Sequence, residues 1–159
     1  MRRSDREITD FSEIISALDV MKECCLSMVD GGKPYSVVMN FGFEVTGEKL
    51  TLYFHSATDG RKINVLKADP TVYVEAYTAA GVIEGANGNP CAYSYAYKSV
   101  AGNGRAEFIT DAGEKSHALN LILKHVAGLN SEFSFPATML DKTCAFKVAL
   151  KNITGKQRI

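Results

Sequence analysis

The chain has 159 residues, with 18 basic and 18 acidic side chains and therefore no net charge. That length fits one domain, 1–159, able to bury roughly 70 % of its unfolded surface, and the charge balance excludes a sequence-wide electrostatic case for nucleic acid or membrane binding. No apolar run approaches the roughly 20 residues of a membrane-spanning helix, and the basic start is interrupted by Asp5 and Glu7 with no apolar stretch behind it, unlike a secretory signal. A cytoplasmic protein is expected.

In chain order, Ile8 to Met21 reads as a helix: Asp10 and Glu13 have capping-box spacing, and Phe11, Ile14, Ile15 and Leu18 form one apolar stripe. Cys24 to Val29 reads as a strand that turns through Asp30-Gly-Gly-Lys33. The next strand alternates cleanly, with Tyr35, Val37, Met39, Phe41, Phe43 and Val45 on one face and Ser36, Val38, Asn40, Gly42 and Glu44 on the other. Leu50, Leu52 and Phe54 then share one face of a third strand, and Thr51, Tyr53 and His55 share the other. With a turn at Thr46 to Lys49, Val45 meets Leu50, Phe43 meets Leu52, Phe41 meets Phe54 and Asn40 meets His55, a register that keeps apolar faces together.

That third strand ends in His55-Ser-Ala57 and turns through Asp59-Gly60 into a short helix opening with Arg61-Lys62. Two cations at free helix N–H groups make a phosphate site, while cations without an anion there oppose the helix dipole. A histidine just upstream of a phosphate anchor points to a nucleotide-like cofactor, and Asn40 with His55 would form its bed. The helix ends before Pro70; a strand follows from Thr71 to Tyr77, and Gly81 to Pro90 reads as a loop. Tyr93 to Glu107 alternates again, with Tyr93, Tyr95, Tyr97 and Ser99 on one side and a bend or bulge at Gly102 and Gly104. Asp111 to Ala127 reads as a helix with a stripe of Leu119, Ile122, Leu123 and Val126, and Cys144 to Ile153 as one closing strand.

Few, segregated helices among six mostly antiparallel strands argue for an α+β barrel rather than a doubly wound sheet. Neither GxGxxG after a strand nor GxxxxGK[ST] occurs. Cys24, Cys25, Cys91 and Cys144 form no CxxC, none has an obvious basic neighbour, and they read as buried reduced thiols. His117 and His125, about 12 Å apart on their helix, read as surface positions. No metal site is expected.

Several blocks resemble the FMN-binding split-barrel family that includes pyridoxamine phosphate oxidases, and in particular its nitroimidazole-resistance branch. They are Met1 to Ile8, Pro34 to Phe43, Leu52 to Ala57 with Gly60-Arg-Lys62, Tyr97 to Gly104, and Ile153 to Lys156. The resemblance implies a six-stranded split barrel, a homodimer, and FMN at the subunit interface. It implies that Arg61 and Lys62 grip the phosphate, that Ser56 and Ala57 touch the phosphate or ribityl chain, and that Val38, Met39 and Asn40 lie along the isoalloxazine ring. Tyr97 and Ser99 would complete the site, and His55 would stand at the reactive position.

The function this implies is an FMN-dependent oxidoreductase acting on a small electron-poor acceptor such as a nitroaromatic. A pyridoxamine phosphate oxidase-like enzyme and a non-enzymatic flavin or haem binder stay open as alternatives.

Overall fold

In the computed structural model, which describes residues 3–159, nine strands and four α-helices alternate along the chain. They are β1 (Glu7–Ile8), α1 (Phe11–Asp19), β2 (Glu23–Asp30), β3 (Lys33–Asn40), β4 (Gly42–Thr46), β5 (Lys49–Ala57), α2 (Arg61–Ala68), β6 (Thr71–Ile83), β7 (Ser94–Ile109), α3 (Ala112–Ala127), α4 (Ala137–Asp141), β8 (Thr143–Ala149) and β9 (Lys151–Arg158). Every strand pair is antiparallel. The sheet runs β3-β2-β6-β7-β8-β5-β4, with β9 pairing both β7 and β1. The α+β class with flanking helices is as the sequence predicts; the strand count is nine, not six.

Three long-range contacts account for the difference. Ile8 is buried and pairs with Gly155, so the chain before α1 is a strand; α1 starts only at Phe11, where the Asp10 carboxylate accepts from the Ser12 and Glu13 N–H groups. The expected single strand from Tyr35 to Val45 breaks at Phe41, because the backbone of α3 crosses directly over Gly42. The expected closing strand breaks at Leu150, whose N–H donates to Leu50 O, so β8 lies against β5 and the end of β7 while β9 lies against the start of β7.

The register therefore holds for only part of its predicted length. Val45 faces Leu50 and Phe43 faces Leu52, but the pairing stops at Gly42 and Tyr53. Phe54 faces Phe146, His55 faces Ala145, and Asn40 faces Glu23 with its amide donating to Lys22 O. Asn40 and His55 thus do not meet. The tight turn at Gly31 and Gly32 has positive φ at both residues, as a two-residue hairpin requires. The register shift in β7 falls between Ala101 and Asn103, at the predicted bend, and β6 continues past its expected end to Ile83 through a bulge at Gly81.

The main core gathers Leu26, Phe41, Leu50, Leu52, Phe54, Val74, Phe146 and Val148, with the Phe54 and Phe146 rings stacked at 5.1 Å. Fully burying such a side chain contributes about 1.5–3 kcal/mol. A smaller cluster of Tyr53, Ile109, Ala118 and Ala145 lies on the other face of β5, with Leu121 of α3 packed on it. Here the predicted α3 stripe shifts: Ala118, Ile122 and His125 are the buried residues, and His125 is only 7 % exposed.

His125 is therefore a core residue rather than a surface one. Its ring packs on Phe41 and Phe43, and Nε2 lies 2.6 Å from Met21 O. Burial, followed by the Lys22 charge, pushes its pKa below the usual histidine value, against the opposing pull of Met21 O and Asp19. The unfolded chain then binds the extra proton more readily, so the stability His125 lends is present above about pH 6.5 and lost as pH falls toward its folded value. Urea melts from pH 7 to pH 5 are expected to show falling stability, and His125→Gln to flatten that slope; an unchanged slope would assign it to another group.

Candidate functional site

The strand-to-helix corner between β5 and α2 is built as the sequence indicates. α1 and α3 are capped by Asp10 and Asp111 and carry an acid in the first turn; α2 has Gly60 at its N-cap, no capping side chain, and Arg61-Lys62 in place of the acid. Gly60 has φ +127 with nothing within 4 Å of the position a Cβ would take. The first N–H groups of α2 are thus left for an outside acceptor.

His55, Ser56, Ala57 and Lys62 converge at this corner, and Cys144 joins them from β8, directly across from Ser56. His55 presents an exposed edge while neighbouring atoms crowd the ring. That partial burial, and then the charge of Lys62, hold its pKa below the usual value. Burial also lowers the Lys62 pKa, partly offset by Cys144. A cation held at a cost in desolvation beside uncapped N–H groups is the local signature of an anion site.

Arg61 points elsewhere. Its Nε lies 2.8 Å from Asp30 Oδ2 and its guanidinium sits 4.3 Å above the Tyr35 ring, on the β2–β3 hairpin. Lys62 is accordingly the cation nearer His55.

The other predicted contacts, Met39 apart, share one face of the sheet. Register places Asn40, Glu23, Tyr77, Ser99 and Lys156 at one level across β3, β2, β6, β7 and β9, with Val38, Cys25 and Glu75 at the next. Asn40 and Ser99 are three strands apart, on the order of 14 Å. Val38 is 70 % exposed on this face, with Tyr77, Tyr73 and Val29 also open, and a cleft of about 290 Å³ is lined by Val38, Cys25, Tyr77 and Ala79. Met39 points the opposite way into the core, so only its backbone is available here. Tyr97 lies two residues from Ser99 on the same side of β7, across from Arg158. Along β7 it is far from Ile109, the residue reached from His55 through Ala145. Within the chain the candidates thus form three groups: the β5–α2 corner, Arg61 on the hairpin, and the open sheet face.

The thiols divide as their strand positions require. Cys24 is buried and its pKa is pushed up to about 12 by burial, while Cys25 faces outward. Cys144 does have basic neighbours, contrary to the sequence reading: Lys62, Lys67 and Lys115 lower its pKa, but burial outweighs them and the net shift is upward. No sequence signal marks this cluster, because its lysines come from α2 and α3. A cleft of about 620 Å³ beside His125 lies away from these residues. Within it Lys22 Nζ donates to Asp19 O and His125 O.

The sequence profile of pyridoxamine 5′-phosphate oxidase matches residues 10–157. The chain belongs to this family. A solved structure of a candidate 5-nitroimidazole antibiotic resistance protein from Bacteroides thetaiotaomicron is 32 % identical, with 95 % of this chain and 86 % of that one aligned at a TM-score of 0.79. That likeness sets the chain on the nitroimidazole-resistance branch of the family. The flavocytochrome Anf3 from Azotobacter vinelandii aligns over 100 % of this chain and 72 % of its own at 17 % identity and TM-score 0.80. A FAD and haem binding protein from Mycobacterium smegmatis aligns over 96 % and 73 % at 20 % identity and TM-score 0.78. These last two share the fold. No curated protein matches the sequence. Among the described residues no helix is long and apolar enough to cross a membrane.

Proposed function

We propose that the protein is a homodimeric, cytoplasmic FMN-binding flavoprotein that reduces a small electron-poor acceptor of the nitroaromatic kind. The observation that carries this reading is the uncapped, cation-bearing start of α2 beside His55, in a chain of this family and branch. Lys62, the α2 N–H groups and Ser56 hold the phosphate, with Ala57 lining the approach and Arg61 turning in from Asp30. Val38, Asn40, the backbone of Met39, and Tyr97 and Ser99 lie against the ring. When bound, FMN supplies the redox chemistry, taking two electrons from a donor and passing them to the acceptor.

The dimer is supported by the open apolar face. Val38, Tyr73, Tyr77 and Val29 are all exposed there, and a second copy would cover them. It would also join groups that one protomer keeps apart, with Tyr97 and Ser99 completing a site begun by the partner's corner. Four free cysteines fit a reducing compartment.

His55 is neutral near pH 7 by the direction of its shift, so its role is to orient the flavin ring or to relay a proton taken from water. The test begins with a visible spectrum of protein carried through gel filtration with FMN. Flavin bands should co-elute with a dimer, and His55→Ala should keep the flavin yet slow its reoxidation by a nitro acceptor about 100-fold. A colourless protein that ignores FMN would end the reading, and equal rates in both proteins would leave His55 as a contact only.

A further inference from the structure

The conspicuous charge on this otherwise neutral chain lies at the far edge of the open face, where the chain start meets β9. Lys156 faces Ser99 and Arg158 faces Tyr97 across β7–β9, while Arg6 sits in the 3-10 turn Ser4–Arg6 just before β1. Lys156 Nζ is 5.7 Å from the centre of the Tyr97 ring. Arg3, Arg6, Gln157 and Arg158 line a cleft of about 380 Å³ there, with Asp5 as its acid.

The charges do not balance. Asp5 is taken by Arg3 in a two-point pair at 2.7 and 2.5 Å. Glu7 stands across from Lys156 in the β1–β9 register but forms no ion pair with it, and among the described residues Arg6, Lys156 and Arg158 have no acidic partner. All three are partly buried. With Arg3 they outnumber Asp5 and Glu7, and an anion of charge two or more relieves their mutual repulsion. The Tyr97 phenol registers the same field: partial burial alone would raise its pKa, yet the nearby cations Lys156 and Arg6 bring it below the usual value.

Two guanidinium forks and an ammonium suit phosphate oxygens. Tyr95, on the same side of β7 and about 7 Å along it, is 49 % exposed and offers a flat surface to a planar ring beside those cations. Building on the flavoprotein reading, we propose that Arg6, Lys156 and Arg158 bind the phosphates of a second, nucleotide ligand, the chemistry of a phosphorylated electron donor, with its ring on Tyr95.

The test is calorimetric titration of the purified protein with pyrophosphate and with NADPH at low salt, comparing wild type with Arg6→Gln/Lys156→Gln. Flavin content is read by absorbance in the same samples. Wild type is expected to bind both probes, and the double variant to bind them at least about tenfold more weakly, with its flavin content and circular dichroism unchanged. Lys156→Met, which keeps the side-chain stem, replaces the double variant if that does not fold. Equal affinities in wild type and variant would overturn the site. Binding of pyrophosphate without NADPH would overturn the nucleotide assignment, and flavin lost in parallel would give the cations to the cofactor instead. Charge-dependent binding of both probes by a protein that holds no flavin would uphold the site while removing the flavoprotein reading.

Discussion

Arg61→Ala with Lys62→Ala is expected to raise the dissociation constant for FMN about 100-fold, or about 2.7 kcal/mol, while leaving the fold intact. Charge-assisted hydrogen bonds to phosphate contribute about 1.5–3 kcal/mol each, but the two cations do not start from equal positions. Lys62 stands at the corner with His55, its charge desolvated and without an acidic partner among the described residues. Arg61 must first leave Asp30 and the Tyr35 ring, and those contacts offset part of what it gains. Lys62→Ala alone should therefore weaken FMN more than Arg61→Ala alone. Both side chains lie outside the main core, so the thermal midpoint should move little. Titration by flavin fluorescence quenching measures all three variants; unchanged affinity in the double variant would remove the phosphate from α2.

The difference between Lys62 and Arg61 marks how far the sequence could be read. Alternation and turn chemistry are local, so the β2–β3 hairpin, the Val45–Leu50 pairing, the capped start of α1, the span of α3 and the cationic start of α2 follow from neighbouring residues. What failed was set at long range. Phe41 and Gly42 continue a perfect alternation, and nothing near them shows that α3, some 80 residues later, will cross at that point. The predicted meeting of Asn40 with His55 depended on that strand staying unbroken. His125 looked like a surface residue for a related reason: the α3 face is turned by the cluster under Ala118, which places the ring on Phe41 and Phe43. The lysines around Cys144 come from separate helices and leave no trace at the cysteine itself. Asn40 was first singled out by the register that failed, while the sheet-face candidates Val38, Tyr97 and Ser99 came from family resemblance, since no spacing rule links β3 to β7.

Gly42→Ala tests the long-range contact that made the sequence misleading. An added Cβ would lie 2.5 Å from Ile122 N and from the Leu121 carbonyl carbon, and 2.8 Å from Leu121 O. These are backbone atoms of α3, so no rotamer change relieves the overlap; the helix must lift or β4 must shift. The φ of Gly42 is not in the left-handed region, which leaves steric crowding as the cause. Overpacking of this kind costs about 3 kcal/mol, equivalent to a fall of roughly 10 °C in Tm for a domain of this size. Lifting α3 would also loosen the packing of Leu121 and Ala118 against Tyr53 and Ala145 and the seat of His125 against Phe43. The lost stability should therefore come with faster amide exchange in α3 than in β2 or β6. Calorimetry and hydrogen exchange read the two effects separately. A Tm within about 2 °C of wild type would mean that α3 can ride outward at little cost, and that the break between β3 and β4 must then have another cause.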